Sequence, residues 1–174
     1  HECNVIETYI KEGDTVIIIG TNVGMSTIKA AKKTKKSGKV FSYEAVKFKL
    51  DIAKDAAQIN NVEKQIEFIH AIIEKNVYIP EDIDESVNVL PASKLPDCRV
   101  MTIDCEGAEL EVLKNITIKP EIIYTEIHPH LGVNIEEIKT TLQNKNYDIV
   151  SCTQEESLFH IVAKLKNKTN KKNN

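Results

Sequence analysis

The sequence predicts an α/β fold on a doubly wound, mostly parallel sheet, and three observations carry that prediction. Short β-branched apolar runs alternate with stretches of helical periodicity, the cadence of strand–helix–strand units. The first run, Thr15 to Ile19, is apolar at nearly every position, as a strand covered on both faces must be. A loop bearing two glycines, Gly20-Thr21-Asn22-Val23-Gly24, follows it and opens a helical stretch, the arrangement in which such sheets meet nucleotides.

Each element has its own signal. Gly13-Asp14 turns the chain into the first strand. Ser26 to Lys36 reads as a helix, with Met25, Ile28 and Ala31 at helical spacing and Lys29, Lys32, Lys33, Lys35 and Lys36 on the remaining positions. Those lysines are expected to be a solvated face with its cations toward the helix C-terminus, not a nucleic-acid contact. Ser37-Gly38 stops that helix, and Lys39 to Tyr43 forms a second strand closed by Glu44. A helix from Lys47 to Ile59 carries Leu50, Ala53 and Ala57 on one face and ends at Asn60-Asn61; a third strand is expected around Gln65 to Ile69. The segment 76–96, with its prolines and acids, reads as a loop-rich insertion that shapes an acceptor pocket. Beyond it come a strand from Arg99 to Ile103, a helix from Ala108 to Asn115 and a strand from Glu121 to Ile127 broken by His128-Pro129-His130. A helix over Asn134 to Asn144 with Asn134 as cap follows, then strands over Asp148–Cys152 and Leu158–Lys164.

At 174 residues the chain suits one domain, read as 1–165, followed by a polar Lys/Asn-rich tail over 166–174 expected to be disordered. It opens on His1, not Met, as a piece of a longer product would. With 41% hydrophobic and 28% charged residues the composition is globular, and a net charge of −3 argues against a polyanion-binding protein. The longest apolar run, Val16 to Ile19, is far too short for a membrane span. Cys3, Cys98, Cys105 and Cys152 follow no metal-finger or disulfide-framework spacing and read as reduced thiols. A cytoplasmic protein with no membrane partner is expected; the oligomeric state is not legible.

The glycine loop discriminates between nucleotides. In the dinucleotide pattern GxGxxG the second glycine admits a pyrophosphate to the backbone and the third lets helix and strand pack closely. Starting from Gly20, those places hold Asn22 and Met25, so an adenosine ligand without a diphosphate fits better. Glu44, 20 residues past Gly24 at the tip of the second strand, matches the acid that accepts ribose hydroxyls in this architecture; the competing reading is a surface charge at a strand end.

The loop Gly20-Thr21-Asn22-Val23-Gly24-Met25-Ser26-Thr27, the strand Val40-Phe41-Ser42-Tyr43-Glu44 and, above all, Ile103-Asp104-Cys105-Glu106-Gly107-Ala108-Glu109-Leu110-Glu111-Val112-Leu113-Lys114 resemble the FkbM family of S-adenosylmethionine-dependent methyltransferases, over roughly Gly13 to Lys164. The resemblance implies a seven-stranded sheet of the class I type with the last strand antiparallel, S-adenosylmethionine as cofactor, and methyl transfer to a hydroxyl of a sugar or other small-molecule acceptor. It implies cofactor contacts from Gly20, Thr21, Asn22, Gly24, Ser26, Glu44, Ala45 and Asp104. The family usually has an acid two places before the first glycine, which helps hold the cofactor's amino group, and a proline after the ribose acid; here those places are Ile18 and Ala45. The loss at Ile18 is compatible with weaker cofactor binding, a substitute acid, or a nucleoside-binding scaffold domain without catalysis.

Methylating an alcohol needs a base for the hydroxyl proton at the mouth of the sheet. Asp104 and Glu106 follow the strand ending at Ile103, and His128 follows the next, so the topology brings all three to one rim. Asp104 or His128 is the expected base. The alternatives are that Asp104 and Glu106 cap the helix from Ala108, and that His128 satisfies turn backbone. Glu126, His128 and His130 offer carboxylate and imidazole, but two histidines separated by one proline form no ligand spacing, and no metal is expected.

Overall fold

A computed structural model describes residues 1–74 and 87–167. The strands are β1 (Thr15–Ile19), β2 (Lys39–Glu44), β3 (Ile66–Ile73), β4 (Asn88–Leu90), β5 (Val100–Ile103), β6 (Ile122–Ile127), β7 (Tyr147–Glu155) and β8 (Leu158–Leu165). The helices are α1 (Glu2–Tyr9), α2 (Met25–Thr34), α3 (Lys47–Ile59), α4 (Glu109–Asn115) and α5 (Ile135–Asn144). One eight-stranded sheet runs β4-β3-β2-β1-β5-β6-β8-β7. All neighbours are parallel up to β6; β8 lies antiparallel to both β6 and β7, with a register shift between Ile149 and Ser151.

The predicted fold class holds, and the count of seven strands needs one correction: β4, three residues long, pairs with Ala71–Ile73 beyond β3. So short a strand, between Pro91 and an acidic stretch, carries no period to read. It lies in the C-terminal part of the 76–96 insertion; residues 76–86 of that insertion and 168–174 of the tail lie outside the described residues. The helix expected from Ser26 ends at Thr34, because Lys35 takes a left-handed φ of 56° and begins a single 3-10 turn. Asn134 caps α5 as read, its side-chain oxygen accepting from the Glu136 and Glu137 N–H groups at 2.8 and 3.4 Å. No helix among the described residues is long and apolar enough to cross a membrane.

Side chains of β1 alternate between two cores, as a strand covered on both faces requires. Ile17 and Ile19 pack with Met101, Ile103, Val112, Leu113 and Ile138 toward α4 and α5. Val16 and Ile18 pack with Val5, Ile6, Ala30 and Ala31 toward α1 and α2. Ile18, where the resemblance leads one to expect an acid, is fully buried in the core cluster that also holds Val5 and Ile6 of α1. At the opposite end of the sheet from the glycine loop, Arg99 ties the layers together. Its Nε and Nη2 donate to the two carboxylate oxygens of Asp14 at 2.7 Å each, and Nη1 meets Glu121 at 3.0 Å. The lysines of α2 and of the turn after it engage near neighbours: Lys29 and Lys33 pair with Glu7, Lys32 donates to Asn60, and Lys35 pairs with Glu12.

Candidate active site

The strand order reverses between β1 and β5, where doubly wound sheets open a crevice at their carboxyl ends. The Asp104 N–H donates to the Ile19 carbonyl at 2.9 Å, and the Gly20 and Thr21 N–H groups both donate to the Tyr43 carbonyl at 3.0 Å. A Cβ on Gly20 would stand 1.8 Å from the Asp104 carbonyl oxygen, and the residue has φ of 92°, so only glycine lets the loop and the end of β5 approach this closely. Gly24, with φ of 93°, lies against α3: a Cβ there would meet the Ala53 Cβ at 2.9 Å.

A cleft of about 690 Å³, counting its open mouth, lies beside this junction. Gly20, Asn22, Glu44, Ala45, Asp104 and Glu106 line it. Tyr43 and the end of β3, neither singled out in the sequence, supply apolar wall.

The other expected binding residues are engaged elsewhere. Thr21 is buried, its hydroxyl 2.5 Å from Ser42 Oγ and donating to the Tyr43 carbonyl at 3.0 Å, while Ser42 reaches Thr27 at 2.8 Å. This hydroxyl chain pins the loop to β2. Ser26 bonds the carboxylate of Glu2, which α1 delivers between α2 and the end of β5. Burial pushes the Glu2 carboxyl above its ordinary pKa, offset only in part by the Ser26 hydroxyl.

Glu44 is buried and already in use. One carboxylate oxygen accepts the Asn22 N–H at 2.7 Å and the other the Val46 N–H at 2.9 Å. It therefore clamps the glycine loop to the start of α3, and its remaining lone pairs border the cleft.

On the other side of the junction His128 is the hub. Its side chain is 5% exposed, and Nδ1 lies 2.7 Å from Oε1 of Glu109, which is completely buried. The same Glu109 oxygen accepts the Gly107 N–H at 3.0 Å. The expected capping role of Asp104 or Glu106 thus has a counterpart in Glu109, a residue the sequence reading passed over. Its place three residues into the EGAE motif was the signal, since a carboxylate there can reach back to the turn. Nε2 of His128 faces Glu106 at 3.5 Å, Glu126 at 3.6 Å and Asp104 at 3.8 Å. His130 stands edge-on to the His128 ring at 5.7 Å between centroids.

Burial works against an imidazolium at His128, but the hydrogen bond and charge of Glu109, with Glu106 and Asp104, override it and hold the pKa up at about 9. Asp104 is pushed up to about 8, first by burial and then by Glu126 and Glu2, with His128 opposing. A raised folded-state value means that protonation of His128 stabilises the fold fully below about 6.5 and ceases to do so as pH rises through about 9. An NMR titration of metal-free protein is expected to show the His128 ring titrating near 9, and Glu109→Gln is expected to lower that midpoint. A wild-type midpoint at or below 6.5 would contradict this arrangement.

Comparison with known proteins bears on the fold that carries this site. The family model described as the methyltransferase FkbM domain matches residues 81–149. A ribosomal protein L11 methyltransferase of Bacillus pumilus is 26% identical over 159 residues, which cover 91% of this chain and 46% of that protein. A SAM-dependent methyltransferase of Aquifex aeolicus superposes with a TM-score of 0.62 at 17% identity, covering 95% of this chain and 89% of the other. A precorrin-6y C5,15-methyltransferase of Geobacter metallireducens does so with a TM-score of 0.65 at 15% identity, covering 95% and 88%. The eight-stranded sheet is the class I methyltransferase fold.

Proposed function

We propose, from the premise that this chain carries the FkbM methyltransferase domain over residues 81–149, that it binds S-adenosylmethionine and transfers the methyl group to a hydroxyl oxygen of a small-molecule acceptor. The observation that carries the reading is the junction of Gly20 with Asp104, with the cleft lined by Gly20, Asn22 and Glu44 on one side and the His128 cluster on the other. The cofactor would supply a methyl group on a positively charged sulfur.

The residues present suit that ligand. Glu44 keeps free acceptor capacity for ribose hydroxyls, Asn22 leaves no bare backbone for a pyrophosphate, and the apolar wall from Tyr43 suits a purine. Glu106 places a carboxylate on the cleft wall, where it would favour the positive charge of a sulfonium. Asp104, in its ionised form, accepts the proton of the acceptor hydroxyl, and Glu109 holds the His128 imidazole beside it. The methyltransferases this chain resembles act on different acceptors, so the hydroxyl rests on the base and on the family resemblance.

One observation favours a second reading, a nucleoside-binding domain without turnover: Ile18 is fully buried against α1. Calorimetric titration with S-adenosylmethionine, S-adenosylhomocysteine and NAD tests both. Binding of the first two with no heat from NAD is expected; no binding of either sulfur compound would remove the methyltransferase reading, and tight NAD binding would replace it with a dehydrogenase-like one.

A further inference from the structure

We propose that Asp104, Glu106 and His128, with Glu126 beside them, form a seat for a divalent first-row transition cation of the Mn²⁺ type at the edge of the cleft. The inference rests on the methyltransferase reading for what the cation would do, and on the side-chain geometry alone for whether it binds.

The first line of argument is the orientation of the imidazole. Glu109 takes Nδ1 at 2.7 Å and makes that nitrogen the donor. A carboxylate behind the ring in this way is the usual support of a metal-bound histidine, because it fixes the tautomer and leaves Nε2 as the ligand atom. Here Nε2, on a side chain that is 5% exposed, has no hydrogen-bond partner among the described residues and points among three carboxylates.

The second line is distance. Ligands about 2.1 Å from a shared ion are separated by about 3 Å at a right angle, about 3.4 Å at the tetrahedral angle and about 4.2 Å across an octahedron. The separations of 3.5, 3.6 and 3.8 Å fall inside that span. The ligand atoms of Asp104, Glu106 and His128 all lie within 4.8 Å of one another. One imidazole with several carboxylates and no thiolate suits Mn²⁺ better than a soft ion, and the imidazole distinguishes it from an all-oxygen Mg²⁺ site. A cation so placed would hold and polarise an acceptor oxygen beside the cleft. The set has no sequence spacing of its own because its ligands come from two strand ends, and His130, the neighbouring imidazole, is not among them.

The test is titration of the full chain with MnCl₂, without cofactor, read by the loss of the free-ion EPR signal. One bound Mn²⁺ per chain is expected, weakened at least tenfold by Glu106→Gln and by His128→Gln, and roughly 10–100-fold by Glu109→Gln, a positioning residue. Glu106 has its side chain 53% exposed, so its substitution leaves the core untouched and keeps the test sound if the His128 variant unfolds. An unchanged free-ion signal across a millimolar titration would overturn the proposal. So would binding that Glu106→Gln leaves intact, as binding at the separate His1, Glu155 and His160 group would be. A chain that binds Mn²⁺ but no S-adenosylmethionine would lose the methyltransferase reading and keep this one; the converse result would do the reverse.

Discussion

Gly20→Ala is expected to cost about 2–5 kcal/mol of stability and to abolish cofactor binding. Two separate costs add. The new methyl would sit 1.8 Å from the Asp104 carbonyl oxygen, forcing β1 and β5 apart at the point where they frame the cleft, an overpacking worth about 1–3 kcal/mol. The φ of 92° adds the penalty of a left-handed L-residue, about 1–2 kcal/mol. At roughly 2–4 °C per kcal/mol for a domain of this size, the melting temperature should fall by roughly 4–20 °C. Gly132→Ala is the control, since Gly132 has φ of 87° but no atom within 4 Å of the added carbon; it bears the backbone penalty alone. Equal melting temperatures for the two variants would show that the approach to Asp104 is not tight.

Glu44→Ala is expected to weaken S-adenosylmethionine binding by roughly 10–100-fold, read by calorimetry. Hydrogen bonds to a charged carboxylate are worth about 1.5–3 kcal/mol, and here the same group both clamps the Asn22 and Val46 N–H groups and faces the cleft. The substitution therefore removes the ribose contact and loosens the loop that shapes its site. Lys47→Ala is the comparison, because Lys47 is half-exposed and pairs with Asp51 one turn along α3, a contact of little energetic weight. If both substitutions weakened binding equally, Glu44 would hold no special place at the ribose.

The sheet was legible wherever burial on both faces wrote itself into composition. Thr15–Ile19 and Lys47–Ile59 match the structure end for end, since one is continuously apolar and the other keeps Leu50, Ala53 and Ala57 on one face. β3 runs four residues past the expected Ile69, because His70 and the apolar residues after it still pair with Glu44 and then with β4. The helix over Glu2–Tyr9 was not read, although its Val5 and Ile6 are buried against Ile18. The site was legible by topology: strand ends bring Gly20, Glu44, Asp104 and His128 to one rim. Side-chain allegiance was not. Ser26 turns to Glu2, Thr21 to Ser42, and Glu109 to His128, and each pairing joins elements distant in sequence whose approach only the packed fold decides.

The outermost strands differ in how they end the sheet. β4 is only three residues long, and β7 changes register at Val150 and carries Asp148 and Glu155 on exposed positions. Neither offers a long straight row of N–H and C=O groups for another polypeptide to copy. The two ends of the sheet thus resist pairing with a second chain by brevity on one side and by a break in register on the other, and deleting Val150 is expected to straighten β7 into a better template for such pairing.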